Sequence, residues 1–163
     1  LRSLLKLPVK GWVLDAGGGT GRISAHLYPR KNKIIVADIS LPMLKQAVAK
    51  KTIYPLQTHI ERLPFCDAMF ERILVVDALH HFCDQDAAVS ELLRVLKPGG
   101  RMVIEEPNID RFLIKLVALG EKLIGMKSHF LSPETIRDII QKYGTPAYIE
   151  DNDRFFAWVV ADK

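Results

Sequence analysis

The sequence predicts a doubly wound α/β domain built on a mostly parallel sheet. Three observations carry that expectation. Short apolar runs alternate with helical periodicity along the whole chain. Runs such as Ile34-Ile35-Val36-Ala37 and Ile73-Leu74-Val75-Val76 are continuously apolar rather than alternating, as strands are when helices cover both sheet faces. The first strand also runs straight into a glycine-rich turn and a helix, Val13-Leu14-Asp15-Ala16-Gly17-Gly18-Gly19-Thr20-Gly21-Arg22. That order opens the doubly wound nucleotide-binding folds.

Trp12-Val13-Leu14 is the first buried strand, followed by a helix from Gly21 to about Tyr28. Residues 34–37 form the second strand. Pro42 suits the first turn of the next helix, about 42–50, where its missing N–H costs nothing. Residues 53–56 are a weak third strand and 73–76 a buried fourth. Asp84 can cap a helix over about 85–96 with Ala88, Leu92 and Leu96 on one face, and Lys97-Pro98-Gly99-Gly100 ends it. Residues 102–104 make a fifth strand. An apolar helix is expected over 109–126. Ser132-Pro133 opens another, with Ile136, Ile139, Ile140 and Tyr143 on one side and Gly144 at its end. Residues 147–150 and 155–160, joined by a turn at 151–153, read as an antiparallel hairpin added to one sheet edge.

The bulk properties bound the function. With 163 residues, 48% of them hydrophobic, the chain can bury a sizeable core as a single domain spanning 1–163. No apolar run approaches the ~20 residues of a membrane span. Residues 1–10 lack the layout of a signal peptide, and Cys66 and Cys83 fit no zinc or C-x-x-C spacing. They read as reduced core thiols of a cytoplasmic protein. The net charge of +4 is scattered apart from Arg30-Lys31-Lys33 and Lys50-Lys51, so a nucleic-acid partner is disfavoured. No metal site is expected, because no third ligand is suitably spaced.

The glycine turn is the main chemical signal. Gly17, Gly19 and Gly21 give G-x-G-x-G, whereas a dinucleotide fingerprint wants its third small residue at position 22, which is Arg22. A ligand carrying adenosine without a diphosphate fits better. Asp38 ends the second strand 21 residues after Gly17. A carboxylate there can accept hydrogen bonds from both ribose hydroxyls; the bland alternative is a cap for the helix after Leu41-Pro42.

Four stretches in order resemble the class I S-adenosylmethionine-dependent methyltransferases, in particular the ubiquinone/menaquinone-biosynthesis-like branch: Val13 to Arg22; Val36-Ala37-Asp38-Ile39-Ser40; Leu63-Pro64-Phe65 through Asp77-Ala78-Leu79-His80-His81-Phe82; and Leu96 to Glu106. The resemblance implies a seven-stranded sheet with an antiparallel last strand. It also implies S-adenosyl-L-methionine as cofactor, with S-adenosyl-L-homocysteine as product. Asp15 and the backbone of Gly17 and Gly19, with Gly21 closing the loop, would hold the amino-acid end. Ile39 would contact the cofactor, Met43 would lie against the adenine face, and Ile60 and His59 at its edge. His59 departs from the acidic residue that relatives often carry. Asp77 would sit under the methyl group, and His80 or His81 could take a proton from the acceptor. Glu105, Glu106 and His129 are further candidates for the mouth. About eleven residues precede Trp12, where relatives usually carry one or two helices over the substrate. The resemblance thus leaves the lid to a trimmed segment, to residues 109–126 or to a partner subunit.

The leading expectation is methyl transfer to a small or lipid-like acceptor at oxygen or carbon. The apolar helix over 109–126 would be a lid, a core element or a homodimer interface. Alternatives are a non-catalytic cofactor-binding subunit of a larger complex and, opposed by Arg22, a nicotinamide-dependent oxidoreductase. Nucleic-acid amine methylation is disfavoured, because the fourth strand ends in Asp77-Ala78-Leu79 rather than Asn-Pro-Pro-aromatic.

Overall fold

The computed structural model describes residues 1–27, 33–50, 53–108, 129–151 and 156–163. The helix expected over 109–126 lies outside the described residues, as does most of the expected 151–153 turn. In chain order the elements are β1 (Trp12–Ala16), α1 (Arg22–Leu27), β2 (Ile34–Asp38), α2 (Leu41–Val48), β3 (Tyr54–Gln57), β4 (Phe70–Val76), a 3-10 turn (Leu79–His81), α3 (Gln85–Val95), β5 (Leu96–Pro107), α4 (Pro133–Lys142), β6 (Ala147–Asp151) and β7 (Phe156–Asp162).

They form one seven-stranded sheet in the order β3-β2-β1-β4-β5-β7-β6. β1 pairs in parallel with β2 on one side (Leu14 opposite Ile35) and with β4 on the other (Leu14 opposite Ile73). β7 runs antiparallel to both β5 and β6. The expected hairpin is therefore present, with its second strand beside β5 and its first at the sheet edge.

Alternate strand residues feed two cores, because successive side chains leave opposite faces. On one face Leu14, Ala16, Ile35, Ile73, Val75 and Ile104 pack with Leu92 of α3 and Ile136 and Ile140 of α4. On the other, Val13, Val36, Leu74 and Val103 pack with Leu44 and Ala47 of α2 and with Leu5. The N-terminal segment is tied to the sheet by Arg72, whose Nε donates to the Leu5 carbonyl at 2.7 Å, and by Arg101, whose Nη1 donates to the Leu4 carbonyl at 2.9 Å. Asp84 caps α3 by accepting from the Ala87 N–H at 2.9 Å, and Ser132 caps α4 by accepting from Thr135 at 3.2 Å.

Two expectations need correction. β5 begins at Leu96 rather than at Met102. Pro98-Gly99-Gly100 does not interrupt it: the ladder with β4 jumps from Phe70–Leu96 to Arg72–Arg101, and Gly99 at φ +75° takes up the irregularity. Cys66 and Cys83 are free but exposed, not core thiols.

Candidate active site

β2 and β4 flank β1, so the crossovers leaving β1 and β4 diverge and open a crevice at the strand carboxyl ends. A cavity of about 510 Å³ lies there, lined by the 15–23 turn, the ends of β2 and β4, the start of α2 and residues 58–61 and 81–83.

The glycine turn forms its floor. Gly17 (φ +72°) and Gly19 (φ +53°) occupy the left-handed region that a side chain rarely adopts. A Cβ on Gly17 would meet Ala78 Cβ at 2.6 Å, and one on Gly19 would meet Met43 Sδ at 3.1 Å. A Cβ on Gly18 would collide with the Asp15 carboxylate. Gly21 differs from the others: it does not line the cavity, and a side chain there would strike Ile53, so it serves the packing of α1 against the α2–β3 connection. One backbone and one side-chain donor fix the turn: Gly17 N–H donates to the Ala37 carbonyl at 2.7 Å and Lys50 Nζ to the Thr20 carbonyl at 2.5 Å.

Asp38 joins this turn to β2. One carboxylate oxygen accepts from Gly19 N–H at 2.8 Å and the other from Ser40 N–H at 2.7 Å. Each oxygen has further acceptor capacity, so the geometry that organises the loop also leaves lone pairs for hydroxyls in the cavity. Asp38 therefore ties the turn to the end of β2 rather than capping α2, whose N-cap residue is Ser40. Asp15, 1% exposed, accepts from Ser24 Oγ at 2.5 Å. Burial pushes its carboxyl up to about 6, with the Ser24 hydrogen bond opposing and the nearby Asp38 charge assisting.

The other walls hold the remaining sequence-derived candidates. Ile39, just before α2, and Met43, in its first turn, are both exposed and line the cavity, as do buried Ile60 and exposed His59. His59 Nδ1 lies 3.8 Å from Glu61. Asp77 lines the cavity with its backbone at φ +52°, held there as its N–H donates to the Glu105 carbonyl at 2.8 Å. An aspartate in that region is tolerated, but a branched side chain would be strained.

The two histidines separate. His81 lines the cavity, whereas His80, 3% exposed, turns away from it, with Nδ1 2.6 Å from Glu106. Their rings are 4.0 Å apart. Glu105, Glu106 and His129 do not line the cavity; Glu105 instead accepts from the Trp158 indole. Reasoning from sequence missed Glu61, which binds two loops together by accepting from Cys83 N–H at 2.8 Å, and Phe82, which presses on Gly17. Neither carries a sequence signal of its own. Arg22 sits at the rim, exposed. Among the described residues no group of three His, Cys, Asp or Glu could hold a metal ion.

The cavity suits an adenosine-type group with a charged tail. It offers a side-chain-free floor, a half-committed carboxylate at the β2 end, apolar surfaces on two sides and a buried acid. Comparison with known proteins agrees. Residues 14–104 match the methyltransferase domain family. The chain is 38% identical over 104 residues to the ubiquinone/menaquinone biosynthesis C-methyltransferase UbiE of Shewanella piezotolerans, covering 58% of this chain and 41% of that protein. It thus spans about two fifths of the length of that curated relative. A SAM-dependent methyltransferase from Thermotoga maritima has the same fold, with a TM-score of 0.83 at 23% identity over 99% of this chain and 87% of its own. So does the YcgJ protein of Bacillus subtilis, with a TM-score of 0.81 at 24% identity over 92% and 68%. The chain belongs to the methyltransferase domain family, and its fold is that of the SAM-dependent methyltransferase from Thermotoga maritima.

Proposed function

We propose that this chain transfers a methyl group from S-adenosylmethionine to a carbon or oxygen of a small or lipid-like acceptor. One observation carries the reading. Asp38, the glycine turn and the wall at 59–60 surround one cavity, and all of them fall within the stretch that matches the family. The name of the UbiE relative supports a quinone-precursor acceptor methylated at carbon.

Each residue then has a task. The remaining lone pairs of Asp38 accept from the ribose hydroxyls. Ile39, Met43 and Ile60 cover the base, with His59 at its edge. Asp15 and the backbone of Gly17 and Gly19 hold the amino-acid end, whose ammonium group complements the buried acid. The chemistry supplied by the bound cofactor is a methyl group on a sulfonium, a leaving group already activated. The protein's contribution is to align donor and acceptor near contact distance and to exclude water. Asp77 complements positive charge at that end, and a ring nitrogen of His81 takes the proton that the acceptor releases. Among the described residues no helix is long and apolar enough to cross a membrane. The two exposed free thiols support a reducing compartment, so we place the protein in the cytoplasm.

Calorimetric titration with S-adenosylhomocysteine and, separately, with NAD tests the cofactor. Binding of NAD alone would overturn the reading. Incubation with labelled S-adenosylmethionine and a prenylated hydroquinone, then with a metabolite extract, tests the transfer. Label retained entirely in the cofactor at saturation would favour a role as a cofactor-binding subunit.

A further inference from the structure

We propose that Glu106 and His80, which do not line the cavity, act as a buried positioning pair that fixes the turn at 78–80 and with it His81 at the cavity's methyl-transfer end. The proposal rests on the methyl-transfer reading only for the task of His81; the pair itself rests on geometry. Residues 77–80 are anchored to two neighbouring residues of β5. Asp77 N–H donates to the Glu105 carbonyl at 2.8 Å. Glu106 Oε1 accepts from Ala78 N–H at 2.8 Å and from Leu79 N–H at 2.7 Å. Glu106 Oε2 lies 2.6 Å from His80 Nδ1. With Glu106 ionised, Nδ1 is the donor to Oε2 and the ring is held with its hydrogen on Nδ1.

The platform beneath is rigid, because β5 is paired with β4 on one side and with β7 on the other, Glu106 opposite Ala157. The His80 ring also stacks on Phe130 at 4.4 Å and 16°, and its backbone carbonyl accepts from His129 N–H at 2.9 Å. The turn so held sets Ala78 and Phe82 against Gly17 and delivers His81 to the cavity wall.

Burying a carboxylate and an imidazole costs free energy that an apolar pair of the same size would avoid. Orientation is what the polar pair adds, and methyl transfer is sensitive to orientation at the ångström level. A pair that was merely structural would leave the electronic surroundings of His81 unaltered when replaced by an isostere.

The test is NMR of the ¹⁵N,¹³C-histidine-labelled full chain, whose five histidines give a resolvable set, beside titration with S-adenosylhomocysteine. In the wild type His80 should be protonated at Nδ1. In Glu106→Gln the amide can face His80 with a donor, so the ring should change to the Nε2–H tautomer. The His81 signals should move, and S-adenosylhomocysteine affinity should fall about fivefold to tenfold, the worth of one displaced hydrogen bond. His80→Asn, which keeps a donor near Glu106, should retain most of the wild-type affinity. Should Glu106→Gln not fold, His80→Phe carries the His81 and affinity readouts. His81 signals and affinity unchanged in a folded Glu106→Gln or His80→Phe, or a wild-type His80 protonated only at Nε2, would overturn the proposal. A wild type that fails to bind S-adenosylhomocysteine would instead sink the proposed activity and leave the histidine readout standing.

Discussion

Replacing Asp15 by Asn should make the ligand-free protein more stable and the ligand-bound one worse. Asp15 is fully enclosed, and its carboxyl is pushed up to about 6 from an ordinary 3.8. For an acid whose folded pKa is raised, the folded state holds the proton more tightly. Stability is therefore present below 3.8 and is lost as pH rises through about 6. A difference of about two pKa units corresponds to about 3 kcal/mol lost by pH 7.5, at ~1.4 kcal/mol per unit. Asparagine cannot ionise, yet its carbonyl still accepts from Ser24, so most of that penalty should disappear. For a domain of this size a gain of about 2–3 kcal/mol corresponds to about 5–10 °C in melting temperature. Scanning calorimetry of both proteins without ligand, at pH 5 and pH 7.5, measures it: Asp15→Asn should melt higher at pH 7.5, and the gap should narrow at pH 5. A variant that melts at or below the wild type at pH 7.5, or a gap independent of pH, would refute the reasoning. The same burial implies that wild-type affinity for a cation-bearing ligand rises with pH up to about 6 and then levels, because binding needs the ionised form.

Three other outcomes follow from the geometry. Asp38→Ala should weaken S-adenosylhomocysteine binding by about 1.5–3 kcal/mol in calorimetric titration while the circular dichroism stays native. Asp77→Gly, which relieves the positive φ, should fold normally with melting unchanged or slightly raised; Asp77→Val at the same φ should lower stability by about 1–3 kcal/mol in denaturant titration. Leu92→Ala, emptying a fully buried site between α3 and the sheet, should cost about 2–5 kcal/mol by the same measurement without altering ligand affinity per folded molecule.

Much of the fold was legible because it is written in backbone-level signals. β2 is apolar from Ile34 to Ala37 and proves buried at every position, Asp38 included. Asp84 and Ser132 cap the helices they precede, since a side-chain oxygen before a helical pattern has few other uses. The floor of the cavity was legible for the same reason: clustered glycines and a carboxylate at a strand end describe a hollow before any side chain is placed. The misses are tertiary. Lys97-Pro98-Gly99-Gly100 reads as a chain break, yet pairing with β4 absorbs it as an irregularity inside β5. Gly21 shares its residue type and spacing with Gly17 and Gly19, but what approaches it is Ile53 from a distant segment. His80 and His81 are adjacent and chemically identical, and only the 3-10 turn, locked by a glutamate 26 residues away, decides which one faces the cavity. The cysteines were misplaced because preference for the interior is statistical, and neither Cys66 nor Cys83 lies on a periodic apolar face.

The exposure of Cys83 has a practical consequence. Its side chain stands in the wall of the cavity while Cys66 is exposed elsewhere on the chain. After Cys66→Ser, a maleimide dye would report from a single native thiol, and its attachment rate would slow in proportion to how fully the hollow is filled. Occupancy by any candidate molecule could thus be screened by fluorescence alone, before a substrate is known.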